Sequence, residues 1–330
     1  MNIFNFTETK IWFLIIALAI ITGAAEKALS QDYSYRETLT NTGKAGNNIL
    51  WEPGNVSQKD LFIGPGGKAM RPNLKKITFL KEEKGGSSKK FRIKDGDDNE
   101  WVVKVDHEAQ PETASVRLLW ALGYKTEINY LEPTLEIPGK GTYTNVRFEA
   151  RPDKIEREGR WSWKKNPFSN TKELKGLLIM MAFLNNWDLK DEGNNIILES
   201  EVNGRKLNNY VISDLGATFG RTGYINFPII WRFGRHINKP NEYLKSKFIS
   251  GTDDGKVEFS YAGRNPGLLD DITIKDTYWI TGLLSQLSDK QIRDAFRAAN
   301  YTPNEIETLT TGVKNRIDEL EKLRTQKRAE

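Results

Sequence analysis

The chain has 330 residues, 38% of them hydrophobic, with nine Trp and fifteen Phe, which is enough apolar material for a sizeable core and too much for a disordered chain. Its 49 basic and 44 acidic residues leave a net charge of +5, with both signs interspersed rather than gathered into an arginine stripe, so no nucleic-acid partner is expected. The absence of cysteine excludes disulfides, thiolate zinc sites and a cysteine nucleophile, and with only His107 and His236 a multi-histidine metal site is not expected.

In chain order, an apolar run from Trp12 to Ile21 follows Lys10 and leads to Ala28-Leu29-Ser30. This pattern predicts a cleaved secretory signal over residues 1–30 and an exported protein, periplasmic or secreted, starting near Gln31. The alternative is an uncleaved amino-terminal anchor, which would be the chain's one membrane contact; the run is short for a full span. Residues 31–70, polar and rich in Gly, Asn and Pro, read as an amino-terminal extension. Within it, the glycine cluster of Asp60–Lys68 reads as a turn, with a phosphate cradle the weaker reading.

Alternating runs at Lys76–Lys81, Lys89–Lys94 and Trp101–Val105, separated by Gly85-Gly86-Ser87-Ser88 and Asp95-Gly96-Asp97-Asp98, predict a three-stranded antiparallel meander. A helix is then predicted from Pro111, with Glu112 in its first turn and Gly123 as its stop. Strand-like pieces follow at Thr126–Leu131 and Thr144–Glu149. The segment Asn170-Thr171-Lys172-Glu173 resembles a capping box and opens a helix to Leu184 that is apolar on most sides in its second half, as a central core helix is. Next come strands at Asn195–Glu199 and Asn209–Ser213 around an Asn203-Gly204 turn, and a loop-rich stretch over 217–270. Tyr278–Leu287 is apolar, Ser288 caps a helix over Asp289–Asn300, and Thr302-Pro303 opens a long amphipathic helix. Strands first and helices afterwards predict an α+β fold with two lobes.

Two acidic segments adjoin the apolar runs: Asn186-Trp187-Asp188-Leu189-Lys190-Asp191, followed by Asn194-Asn195, and Asp214-Leu215-Gly216. Phosphoryl transfer with magnesium needs one carboxylate to orient a hydroxyl and an Asn and a second Asp to hold metal against phosphates. Asp, Asn and Gly are also ordinary turn formers.

With Lys104 on the third strand and Glu112 opening the next helix, this order resembles the protein-kinase-like fold. It is most similar to the atypical branches: HipA-type, phosphoinositide, CotH-type and secretory-pathway kinases. The chain also looks like a group of exported bacterial proteins sharing the Asn-Trp-Asp and Asp-Leu-Gly-Ala-Thr-Phe-Gly segments, a membership that implies no particular reaction. The resemblance implies a small antiparallel-sheet N-lobe over 71–150 and a mainly helical C-lobe over 151–330. It implies ATP with Mg²⁺ or Mn²⁺, and a protein, lipid or sugar acceptor. Lys104 then grips phosphate with Glu112 pinning it (Glu108 is the rival), and Gly85, Gly86 and Ser87 cover the phosphates. Asp188 acts on the acceptor hydroxyl, with Asp191 a second candidate base, and Lys190 neutralises the transferring group. Asn194 and Asp214 hold the metal. The chain departs from the family in one spacing: the asparagines follow Asp188 by six and seven positions, where kinases have five, so Asn195 competes with Asn194. That departure, with export to where ATP is scarce, leaves a catalytically inactive binding module as the alternative function.

Overall fold

The computed structural model describes residues 44–84, 88–152, 155–191, 195–223 and 234–326. The proposed signal sequence lies outside them. Among the described residues no helix is long and apolar enough to cross a membrane. Two short strands, β1 (Lys44–Ala45) and β2 (Asn48–Ile49), come first. The meander follows as β3 (Thr78–Glu83), β4 (Lys90–Lys94) and β5 (Glu100–Lys104), and then helix α1 (Ala109–Ala121). A long hairpin, β6 (Asn129–Ile137) and β7 (Gly141–Ala150), completes a five-stranded antiparallel sheet of order β3-β4-β5-β7-β6. The hairpin extends well past the two short strands read from sequence. Pro133 masked the continuity, yet β6 is the edge strand, where a residue without an N–H is tolerated.

Strand β8 (Glu156–Arg160) and helix α2 (Lys172–Phe183) start the second half. The cap of α2 is Thr171, whose side chain accepts from the Leu174 N–H; Glu173 is not the reciprocal partner of a capping box but is itself buried. The hairpin β9 (Asn195–Val202) and β10 (Arg205–Ile212) turns through Asn203 and Gly204, both at positive φ. Its sheet has the order β1-β2-β10-β9-β8, with β2 parallel to β10. The segment just before the first lobe is thereby woven into the second. The stretch over 217–270 holds small elements: β11 (Arg221–Thr222), β12 (Arg235–His236), α3 (Pro240–Lys245), β13 (Ile249–Asp253) and β14 (Lys256–Phe259). Helices α4 (Ile274–Leu284), α5 (Asp289–Ala298) and α6 (Pro303–Gln326) close the chain. This is the α+β division expected from the order of elements: an antiparallel-sheet region first, a helical region after it.

There are two cores. One lies on a single face of the first sheet, where alternation buries Phe91, Ile93, Trp101, Val103, Val146 and Phe148. The other surrounds α2, whose Leu177–Leu184 run is buried on all sides, and it takes in α1, α4, α5 and α6.

Arg316 of α6 fixes where α2 ends. Its guanidinium is buried and donates to the carbonyls of Phe183 (2.6 Å) and Ala182 (3.2 Å), to Asn185 Oδ1 (3.0 Å) and to Ser246 Oγ (2.7 Å). Those carbonyls belong to the last turn of α2, beyond its i→i+4 ladder, where Arg316 adds to the Asn185 N–H that reaches Ala182 (3.0 Å) and the Tyr243 hydroxyl that reaches Phe183 (3.0 Å). Asn185, in the left-handed region at φ 54°, then turns the chain into the Asp188 segment. Arg316→Leu should therefore cost about 3 kcal/mol, because it takes the donor from the buried Asn185 Oδ1 and leaves each carbonyl with fewer donors. An unfolding free energy in urea within about 0.5 kcal/mol of wild type at unchanged m-value would show that Asn185 finds another donor.

Candidate functional site

Lys104 is the last residue of β5, on the face opposite the first sheet's apolar core, and is 3% exposed. Its Nζ lies 3.0 Å from Glu112 Oε2, 3.2 Å from Glu108 Oε2 and 3.3 Å from Asp214 Oδ1. Glu108 and Glu112 are four apart across the start of α1, so both face the strand. The rivals of the sequence reading thus share the lysine. Glu112 is the deeper of the two and takes a second cation, Arg147 Nε at 3.1 Å. Glu108 accepts from Ser88 Oγ at 2.9 Å. Burial by itself pushes the lysine pKa down, and Arg147 adds to that, but Glu112, Asp214 and Glu108 outweigh both and hold it above its ordinary value. Lys104 is therefore an ammonium throughout the physiological range.

Asp214 arrives from β10. The hairpin register sets Asn195 opposite Ile212, so Asn195 and Asp214 share one end of the hairpin. Asp214 itself adopts φ 55°, a left-handed backbone that Asp tolerates better than most residues. Gly216 serves close packing rather than an unusual φ: a Cβ there would lie 2.6 Å from Glu108 Cβ. Thr218 Oγ1 meets Ser115 Oγ at 2.9 Å, and Leu215 is buried. The Asp-Leu-Gly turn is in this way pressed onto the helix that carries both glutamates. Burial pushes the Asp214 carboxyl up, but Lys104, then Lys190 and Arg147, leave it below the ordinary value.

The Asp188 segment runs beside that turn, joined by Trp187 N–H to the Ala217 carbonyl (3.3 Å) and Phe219 N–H to the Leu184 carbonyl (2.9 Å). Asp188 is engaged on both oxygens, by Lys190 Nζ at 2.7 Å and by Arg264 Nε at 2.8 Å. Asp191 accepts from Ser162 Oγ (2.7 Å) and the Lys164 N–H (3.1 Å), a loop-tying role away from the lysine cluster. Gly85, Gly86, Ser87 and Asn194 lie outside the described residues. Asn195 is 1% exposed, and among the described residues neither its Oδ1 nor its Nδ2 has a hydrogen-bond partner. A buried carboxamide left unpaired costs stability.

Sequence reasoning missed the ionic layer behind Glu112. Arg147 Nη2 pairs with Glu149 at 2.7 Å, and Arg157 Nη2 bridges Glu127 and Glu149 at 2.8 Å each; Arg151 also pairs with Glu149. The signal lies in β7, where Arg147 pairs with Lys104 and Glu149 with Val102, so alternation puts both charges on the lysine's face. This layer borders a cavity of about 420 Å³ between the two sheets, lined among others by Arg92, Glu127, Arg157, Leu198 and Val211. Arg264 was missed as well; it lies in the loop-rich stretch and carries no local signal.

No family model and no curated protein matches this sequence. Among solved structures, the crystal structure of a Helicobacter pylori proinflammatory kinase, CtkA, is similar at a TM-score of 0.47 and 12% identity, over 77% of this chain and 97% of that one.

The ionic layer sets a pH dependence. Burial, reinforced by the Glu149 charge, pushes the Glu127 carboxyl up to about 7. A carboxyl with a raised folded pKa stabilises the fold at low pH and loses that contribution as pH rises through the folded value. Stability should fall between about pH 4.5 and pH 7, by up to about 3 kcal/mol from Glu127, with Glu112, also raised, sloping the same way. Glu127→Gln should flatten most of that slope in denaturant midpoints taken across the window. An equal slope in the variant would mean that Glu127 is ionised throughout.

Proposed function

We propose that this chain is a kinase-like phosphotransferase that binds ATP with Mg²⁺ or Mn²⁺ and passes the terminal phosphoryl group to a hydroxyl acceptor. The observation that carries this reading is the buried Lys104 ammonium held between Glu112, from the helix that follows its strand, and Asp214, which arrives from 110 residues further on. Strand, helix and post-hairpin turn converge to present one positive and one negative group side by side, which is what a metal-bound polyphosphate requires. Lys104 would hold phosphate oxygens, fixed in place by Glu112, which Arg147 in turn fixes. The donor set fits a hard divalent cation: Asp214 supplies a carboxylate, and Asn195 an amide oxygen without a partner. Asn194 is the competing donor. The metal, when bound, would neutralise charge on the phosphates.

In transfer, the acceptor oxygen bonds to the terminal phosphorus as the bond to the bridging oxygen breaks, ADP leaves, and the hydroxyl proton passes to Asp188. For that, Asp188 must give up one of its two cations. Lys190 and Arg264 are partly exposed and free to swing toward the developing phosphoryl charge. The acceptor is a protein side chain, a lipid headgroup or a sugar. The amino-terminal 30 residues fit export, and a mature chain beginning near Gln31 would establish it.

A second reading, a binding module without turnover, is favoured by one observation: both Asp188 oxygens are already spent on Lys190 and Arg264. Thermal unfolding of the full-length chain with ATP and Mg²⁺ tests both. Ligand at 100 times its dissociation constant should stabilise by about 2.7 kcal/mol, and Lys104→Ala and Asp214→Ala should each remove the effect. Asp188→Asn should keep the shift and lose transfer. No nucleotide-dependent shift in the wild type would sink the proposal; a shift with no transfer to any acceptor class points to the binding module.

Asn195 offers an independent check. If it serves the metal, Asn195→Leu should leave the apo protein as stable as wild type or up to about 2 kcal/mol more so, because an unpaired buried amide is removed. The same variant should lose the Mg²⁺-dependent part of the nucleotide shift. A variant that keeps the full Mg²⁺ response returns the role to Asn194.

A further inference from the structure

Arg117 lies on α1, five residues beyond Glu112, and is 1% exposed. Its guanidinium donates to Asn129 Oδ1 and to the Asn129 carbonyl, at 2.8 Å each, and its Nε has no partner. Among the described residues no carboxylate is paired with it. The contrast with Arg316 is instructive, because that equally buried guanidinium spends its donors on oxygens of four residues. Asn129 Nδ2, beside Arg117, is buried and unpaired too. Burial drives the Arg117 pKa down to about 10, so the group is still a cation at neutral pH. The Asp60 charge bears on it without forming an ion pair, and a buried cation so weakly compensated is costly.

Arg117 lines a cavity of about 250 Å³ between α1, β6, α5 and the glycine-cluster turn, together with Arg71, Arg297, Tyr130, Glu132 and Asn300. Three guanidiniums thus face one carboxylate. Arg71 pairs with Glu132 at 3.2 Å, and Arg297 pairs with Asp294 at 2.7 Å and lies over the Phe62 ring. Both exposed arginines can turn toward a stronger anion; Arg117 cannot leave. The glycine cluster is shaped to this place. A Cβ at Gly64 would lie 2.3 Å from Arg117 Nε, one at Gly66 2.1 Å from the Tyr130 hydroxyl, and that hydroxyl donates to the Gly67 carbonyl at 2.7 Å. Asp60, the acid of this turn, uses its Oδ1 on the Phe62 and Ile63 N–H groups.

We propose that this cavity is a second anion site, distinct from the Lys104 cluster, which binds a tetrahedral phosphoryl oxyanion between Arg71, Arg117 and Arg297. Charge-assisted bonds from planar guanidiniums suit such an anion. Its source is either free phosphate or a phosphorylated hydroxyl. Occupancy would tie α1, the helix of Glu108 and Glu112, to β6 and α5.

The test titrates inorganic phosphate, and separately O-phosphoserine, into the full-length chain without nucleotide, following thermal unfolding at constant ionic strength. A saturable rise in Tm is expected, kept in Lys104→Ala and Asp214→Ala. In Arg71→Ala and in Arg297→Ala the apparent affinity should weaken about tenfold or more, the loss of one charge-assisted contact. These two arginines are largely exposed, so their variants are expected to fold, whereas removal of the buried Arg117 perturbs the core. Tighter binding of O-phosphoserine identifies an esterified source, tighter binding of phosphate the free ion. The proposal is overturned by a Tm that does not respond saturably to either probe. It is equally overturned by a response lost in Lys104→Ala and indifferent to Arg71→Ala and Arg297→Ala. Neither result bears on nucleotide binding at Lys104.

Discussion

A single buried ammonium organises the site. Lys104 is out of water, so it must be compensated by carboxylates that arrive with good geometry, and three do. Each comes with its own constraint. Glu108 and Glu112 require α1 to start where it does and to lie against the end of β5. Asp214 requires the β9–β10 hairpin to deliver the turn that follows it to the same point. The bare Cα of Gly216 against Glu108 and the Ser115–Thr218 hydroxyl pair hold those two elements together. A shift in any one leaves a charge buried and unpaired, a penalty of several kcal/mol for an ion. The lysine thus couples the sheet half of the molecule to the helical half.

The ionic layer behind Glu112 extends this coupling. Arg147 stands between Glu112 and Glu149, and Arg157 ties Glu149 to Glu127. Arg157 belongs to β8 and pairs across to Leu198 of β9, so the chain of charges passes from the lysine to the strand that follows the crossing between the halves. An apolar layer would hold the same space with less desolvation cost. What charges add is directional pairing: Arg147 fixes Glu112 and Glu149, and Arg157 fixes Glu127 and Glu149.

The sequence displayed those parts of the design that are local. The meander was readable because alternation and turn residues are properties of adjacent positions, and it placed Lys104 on the third strand, one residue before the end expected at Val105. Glu112 and Asp214 were readable because a helix start and a strand-to-glycine turn carry short signatures. Asn203-Gly204 marked its hairpin for the same reason. The partners that come from elsewhere were not readable. Arg264 reaches Asp188 from a stretch without periodicity, and Arg316 reaches the end of α2 from a helix whose charged face read as solvated. The β1–β2 pair was hidden because its partner, β10, follows more than 150 positions later. The Asp60–Lys68 glycines read as a plain turn, and their purpose appears only with Arg117 and Tyr130 packed against them.

Asp188 is held differently from the rest of the site. Asp214 and Lys104 are fixed by neighbours that would be there in any function of this fold. Asp188 differs, since its two cations are long, partly exposed side chains that give up little order when they move. In the form described, Lys190 and Arg264 pair with both Asp188 oxygens. A phosphoryl group placed between Lys104 and Asp188 competes for the same two cations, and the group with more charge draws them. Under the proposed function, Asp188 would be released only once a phosphoryl group has arrived. An acceptor hydroxyl entering alone would meet a carboxylate whose oxygens are already paired.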